Sequence, residues 1–379
     1  MLSISMLFQL KTSSIQAASG VNGGTPTIES VSLAKNLAAV KVNPSTHQVY
    51  VTSDKSIIAI NGTTKTINAN KTVDFYAHRI AISSGKVYIT EACVCFPSHV
   101  YVFDDSNNSI IGKVAVSAKP AQIAINPATN KIYVTFGSNL ITIIDGLRDK
   151  IVENITGIEQ QWNSIAVDTE SNTLFVAETN SSIISVIDGI SNKIIRSIDV
   201  PAGEGGQVKP IGNTITQLAV NSLTHTVYAS NIFTFERHGT EGITMPLGTL
   251  AVINGSTGII ISNNIQIASP SDIVVTPSKN RIYVSEYFRN DILVIDGSTN
   301  IASDHIRVGE SIYPDSFDID DKLNQLYLIS SNSGDLFIAK LSDGDVPEFS
   351  VSIAVFAAAV VSSIIGGAFL RIHPRSNLA

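Results

Sequence analysis

Cysteine, charge and tryptophan are scarce in this chain of 379 residues. Two cysteines exclude a disulfide-rich scaffold and any multi-cysteine zinc or iron–sulfur fold. Charged residues make up 15%, and the 25 Lys and Arg are outnumbered by 32 Asp and Glu, a net charge of −7. Without a basic field to neutralise phosphates, nucleic-acid partners are excluded. Helical solenoids are excluded too, because apolar residues do not recur at 3.6-residue spacing through the body of the chain. No nucleophile elbow, P-loop or dinucleotide fingerprint is present, which puts binding ahead of catalysis. Hydrophobic residues are plentiful at 44%, so disorder is excluded for most of the length.

Those hydrophobic residues fall into a repeat. Two or three apolar residues in alternation, a polar turn, and a second apolar run centred on Tyr or Phe recur seven times. Examples are AVKVNPSTHQVYVT (Ala39 to Thr52), IAINPATNKIYVT (Ile123 to Thr135) and IVVTPSKNRIYVS (Ile273 to Ser285). The aromatic anchors are Tyr50, Tyr88, Tyr133, Phe175, Tyr228, Tyr283 and Tyr327, spaced by 38, 45, 42, 53, 55 and 44 residues. Each of the first six is followed by a run such as IIAING, ITIIDG or ILVIDG, in which Asp/Asn-Gly provides a tight turn. A period of about 40–50 residues with short β-type runs predicts an all-β, seven-bladed β-propeller of four-stranded antiparallel blades. In each blade strand a is innermost and strand d outermost. The seventh copy ends at LFIAKL (Leu336 to Leu341) without a d strand, and TIESVSL (Thr27 to Leu33) has strand character but no partner. TIESVSL is therefore predicted to complete blade seven and close the ring.

The two ends differ from the body. Residues 1–26 read as a weak export signal and leader, with a short apolar stretch but no early cation. After the propeller (27–341) and a short linker (342–348), Phe349 to Leu370 is an uncharged run of 22 residues, followed by Arg371 and Arg375 in a tail over 371–379. This predicts one C-terminal transmembrane helix with the tail in the cytoplasm and the bulk of the chain outside, at the extracellular face of a cell envelope.

The anchors Tyr50-Val51-Thr52-Ser53, Tyr133-Val134-Thr135 and Tyr283-Val284-Ser285, with IDG downstream, resemble the YVTN β-propeller repeat family from about Thr27 to Leu341. The resemblance implies a cell-surface protein of archaeal or bacterial type. Asn, the fourth letter of the family tetrad, survives only as Asn231. Ser53, Glu91, Phe136, Glu178, Glu286 and Ser330 replace it elsewhere. Pro347-Glu348-Phe349 before the apolar run resembles the PEF-type sorting signals of archaeal surface proteins.

Strand alternation puts the d–a and b–c connections on one face and the a–b and c–d turns on the other. The chain leaves strand c of blade seven at the second face, and the linker reaches about 25 Å at most. The d–a/b–c face is therefore expected to point outward. The long connections fall there: Pro201 to Thr214, Asn231 to Gly248, Glu91 to His99 and Glu286 to Asp291. Long loops on a rigid scaffold commonly carry binding. Trp162, Glu236, Arg237, His238, Glu241, Tyr287 and Arg289 form the candidate binding surface for an envelope protein or glycan, since aromatics and arginines anchor interfaces. Cys93, Cys95 and His99 are candidate ligands for copper or another soft metal. His47 and His225 are expected in a–b turns, solvated. The competing reading is a metal- or small-molecule-handling propeller, with a lactonase-like hydrolase as one form.

Overall fold

The computed structural model describes residues 28–341 except 84, 94–96, 157–161, 203–209, 236–246, 288, 309–315 and 331–332. The predicted leader, linker, apolar anchor and tail lie outside the described residues. Among those described, no helix is long and apolar enough to cross a membrane.

Seven four-stranded antiparallel sheets follow one another along the chain. The innermost strands, a, are Leu37–Asn43, Ala77–Ser83, Pro120–Asn126, Trp162–Asp168, Pro210–Asn221, Pro270–Thr276 and Ser316–Asp320. Each touches the a strands of the two neighbouring blades, so the seven close a ring. Each aromatic anchor lies on a strand b, from Tyr50 on Gln48–Ser53 to Tyr327 on Gln325–Ile329, and all are buried. Strands b and c are sandwiched between the blades on either side, so both of their faces are apolar. That is why YVT- and IIAI-type runs are continuous rather than alternating. Strand d faces solvent along the rim. Thr66–Thr72, the d strand of blade one, is exposed at six of its seven positions, which is why d runs are the least distinct in sequence.

The ring closes as expected. Ile28–Ser32 pairs antiparallel with Asp335–Lys340, from Ile28 opposite Ala339 to Ser32 opposite Asp335. Its two buried side chains go to different joints. Ile28 packs with Ile292, Val294 and Ile306 of blade six. Val31 packs with Leu37, Val40 and Val51 of blade one.

The tips of three anchors reach the c–d turn of the next blade. The Tyr88 hydroxyl donates to the Gly146 carbonyl and to Asp149 Oδ1 in the c–d turn of the next blade, both at 3.0 Å. Tyr327 donates to Gly62 O at 3.3 Å, and Tyr50 to Asp105. The turn glycines do not have positive φ. The left-handed residue comes three positions later, at Lys65, Asp149, Asn192, Gly258 and Asn300. What requires glycine is close approach. A Cβ on Gly146 would lie 2.9 Å from Asn130 O and 3.0 Å from the Tyr88 hydroxyl, and one on Gly62 would lie 2.7 Å from His47 O. Gly146→Ala is therefore expected to cost about 1–3 kcal/mol, read as a lower urea midpoint. Gly112→Ala, on a strand d with open space around it, should stay within about 0.5 kcal/mol of wild type.

His47 and His225 are not simply solvated. Both have positive φ, at 59° and 52°. His47 Nδ1 donates to Asp320 Oδ2 at 2.6 Å and His225 Nδ1 to Asp168 Oδ2 at 2.7 Å, each across a blade boundary to a buried carboxylate. The sequence placed them correctly in a–b turns but could not show that the preceding blade's last a-strand residue reaches into that turn.

Candidate functional site

The long connections lie on the d–a/b–c face, and blade five carries its largest departure from the repeat. Strand a there runs from Pro210 to Asn221 and strand b from Thr226 to Phe235, with strand c beginning at Leu247. Part of what reads as loop in the sequence is ladder. Pro210 pairs with Phe235, Ile211 with Thr234 and Thr214 with Ile232, so blade five is longer than its neighbours and rises above them on this face. Ile215 and Phe233 of this extension are buried, which gives it a packed base.

The fourth position of the tetrad is buried on the same face, and it is polar in every blade but the third, where it is Phe136. Asn231 donates to Pro201 O at 3.4 Å. Glu178 accepts from Ser185 Oγ at 3.1 Å. Glu91 Oε2 accepts from the His99 backbone N–H and lies 3.1 Å from His99 Nδ1. Glu286 Oε1 accepts from Ala268 N at 2.7 Å. The three glutamates that replace Asn thus tie the end of strand b to its neighbours.

Blade six brings three titratable groups together at this station. Glu286 ends strand b, Asp291 begins strand c directly opposite it, and His305 stands on strand d. His305 Nδ1 is 3.3 Å from Asp291 Oδ2 and 3.5 Å from Glu286 Oε2. Asp291, then Glu286, push the imidazole up to about 9 against the opposing effect of burial. Sequence reading missed this group because its members are 5 and 14 residues apart and only the b–c–d register joins them.

The predicted binding residues divide. Tyr287 and Arg289 share the b–c loop of blade six. Tyr287 N donates to Ser269 O at 3.2 Å, and the half-exposed Arg289 guanidinium lies 3.6 Å from Glu286 Oε2. Trp162 begins strand a of blade four, opposite Glu178. Glu236, Arg237, His238 and Glu241 lie outside the described residues. Of the predicted metal ligands, Cys93 is a half-buried free thiol, His99 turns its Nδ1 to Glu91, and Cys95 lies outside the described residues.

A second polar cluster lies among the a strands around the axis. Lys41 Nζ is 3.4 Å from Asp318 Oδ2, which also accepts from Val42 N at 2.8 Å. Burial pulls the Lys41 ammonium down, but Asp318 and Asp272 outweigh it and hold the group above its usual value. Burial pushes the Asp272 carboxyl up, opposed by Lys41 and by backbone donation from Phe317. Nearby, burial, then Arg79 and Lys119, bring His78 down to about 4, leaving a neutral imidazole.

Seven sheets around a closed ring of a strands define a seven-bladed β-propeller. No family model and no curated protein matches the chain. Among solved structures, Kuenenia stuttgartiensis hydrazine synthase is similar at a TM-score of 0.66 and 13% identity, over 82% of this chain and 97% of that one. The β-propeller domain of Cps50 (Swd1) from Myceliophteria thermophila is similar at a TM-score of 0.63 and 10% identity, over 82% and 98%. At these identities the likeness concerns the fold alone.

Proposed function

We propose that this propeller is a binding scaffold of the cell envelope, anchored by its C-terminal apolar run and engaging an envelope protein or glycan through its d–a/b–c face. The observation that carries the reading is the extended ladder of blade five. A packed extension of strands a and b on one face of an otherwise regular disc leads into the b–c connection at 236–246, and loops on rigid supports are where recognition concentrates. Arg289, half-exposed in the adjacent blade, and Trp162, Glu236, Arg237, His238, Glu241 and Tyr287 are the proposed contacts. The repeat's resemblance to YVTN surface proteins and the PEF-like segment support the location.

A second reading, a metal- or small-molecule-handling propeller with a lactonase-like hydrolase as one form, is favoured by the axial cluster of Lys41, Asp272 and Asp318. Copper or another soft metal at Cys93, Cys95 and His99 belongs to that reading.

The test replaces residues 236–246 by a short Gly-Ser linker in the full chain. Binding supports the first reading if cross-links from intact cells to other envelope components disappear while thermal unfolding stays within about 3 °C of wild type. Unchanged cross-links in the variant sink it. Loss of hydrolysis of a lactone panel in Asp272→Asn, with cross-links intact, would establish the second reading instead.

A further inference from the structure

The geometry assigns a divalent cation site, with zinc as its best fit, to Glu286, Asp291 and His305 in blade six. Each residue offers one ligand atom, and the three lie within 4.8 Å of one another. Zinc bonds to nitrogen and carboxylate oxygen are about 2.0–2.2 Å long, so two ligands of a tetrahedral ion are separated by about 3.3–3.5 Å. The imidazole–carboxylate separations of 3.3 and 3.5 Å match that edge. They exceed the length of a good N–H···O hydrogen bond, about 2.9–3.0 Å.

The carboxylates carry the second, independent observation. The Glu286 side chain is only 1% exposed, and its Oε2 is buried without a hydrogen-bond partner. Its Oε1 is held by Ala268 N at 2.7 Å, which aims Oε2 at His305, as an outer contact orients a metal ligand. Asp291 faces His305 with Oδ2, and its other oxygen, Oδ1, is buried with no hydrogen bond. A buried carboxylate oxygen without a hydrogen-bond donor is destabilising, and a bound cation satisfies it. Three protein ligands leave one tetrahedral position open, as in sites that bind a further ligand. His305 is 41% exposed and gives access from solvent. Arg289, at 3.6 Å and 52% exposed, is the competing cation and is free to turn outward. The site differs from the Cys93/Cys95/His99 set in both place and ligand type, and it does not depend on the partner-binding reading.

The test is zinc titration of the full chain by calorimetry, with metal content after dialysis measured by mass spectrometry. One equivalent is expected in wild type and in the Cys93→Ser/Cys95→Ser double variant. Affinity should fall at least tenfold in Asp291→Asn and in His305→Gln. His305→Gln changes an exposed position and keeps the test valid where a buried variant fails to fold. The inference is overturned by an absence of stoichiometric zinc in wild type, by equal affinity in His305→Gln, or by loss of zinc in the cysteine double variant.

Discussion

Deleting residues 28–33 is expected to destroy the closed ring, leaving a chain that elutes as aggregate or unfolds more than about 15 °C early. Blade seven would keep only three strands, and strand Asp335–Lys340 would present an open edge to solvent, a template for pairing with other chains. The larger loss is in the joints. Ile28 belongs to the core between blades six and seven and Val31 to the core between seven and one. Full burial of such side chains is worth about 1.5–3 kcal/mol each, so the pair alone contributes about 3–6 kcal/mol. Domains have about 5–15 kcal/mol in total. Because this one strand seals two joints, the effect is not confined to one blade. Val31→Asp isolates the packing contribution by placing a carboxylate in the joint with blade one. Ser32→Asp, at an exposed position of the same strand, is the control. The expectation fails if Val31→Asp melts within about 2 °C of the control.

The seven-blade count could be read from the sequence for a physical reason. Strands b and c are covered on both faces, so their apolar runs are long, continuous and anchored by one large ring each, and such runs stand out from loops. The closing strand was legible by elimination, since one blade lacked a rim strand and one strand lacked a blade. Side-chain roles at the joints were not legible. In sequence the glycine of each Asp/Asn-Gly pair marks a tight turn, and only the approach of Asn130 O or His47 O reveals the close packing that excludes a Cβ. The blade-six triad was hidden for a related reason. Its members belong to three different strands, and His305 sits on a rim strand whose pattern carries little signal. In blade five the run Asn231 to Phe235 reads as insertion, yet its pairing with Pro210, Ile211, Thr214 and Ile215 makes it ladder. The Ile215 side chain, opposite Asn231, was the available clue.

Asp320→Asn is expected to lose about 1–2 kcal/mol, and adding His47→Asn should restore most of it. The basis is a pairing that recurs at four of the seven blade joints, in the a–b turns. At these joints the last residue of strand a uses one side-chain atom to cap its own turn. Asp320 Oδ1 accepts from Lys322 N and Leu323 N at 3.1 and 3.0 Å, and Asn126 Oδ1 accepts from Ala128 N at 3.0 Å. Its other atom crosses to the left-handed residue of the next blade. Where that residue is histidine the partner is aspartate, as in Asp320–His47 and Asp168–His225. At Asn172 and Asn280 the partner is asparagine, with Asn126 Nδ2 to Asn172 Oδ1 at 2.8 Å and Asn221 Nδ2 to Asn280 Oδ1 at 2.7 Å, whereas Ser83 and Thr276 end the a strands that precede Asn130 and Asn324. Blade two has Gly85 at that place, and Asn43 reaches Asp105 in the c–d turn instead, at 3.1 Å. An amide at 320 keeps the cap but turns an N–H₂ toward His47 in place of a carboxylate, and a charge-assisted bond is lost. Asparagine at 47 supplies an acceptor and suits the left-handed backbone, which tolerates Asn well. The double-mutant cycle should therefore give a coupling of at least about 1 kcal/mol, against the few tenths expected of independent sites. Asp320→Ala removes both the cap and the crossing bond at a fully buried position, so it should cost about 2–4 kcal/mol and no change at residue 47 should rescue it. A coupling below about 0.5 kcal/mol in the cycle, measured by urea unfolding, would mean the Asp320–His47 bond does not help to join blades seven and one.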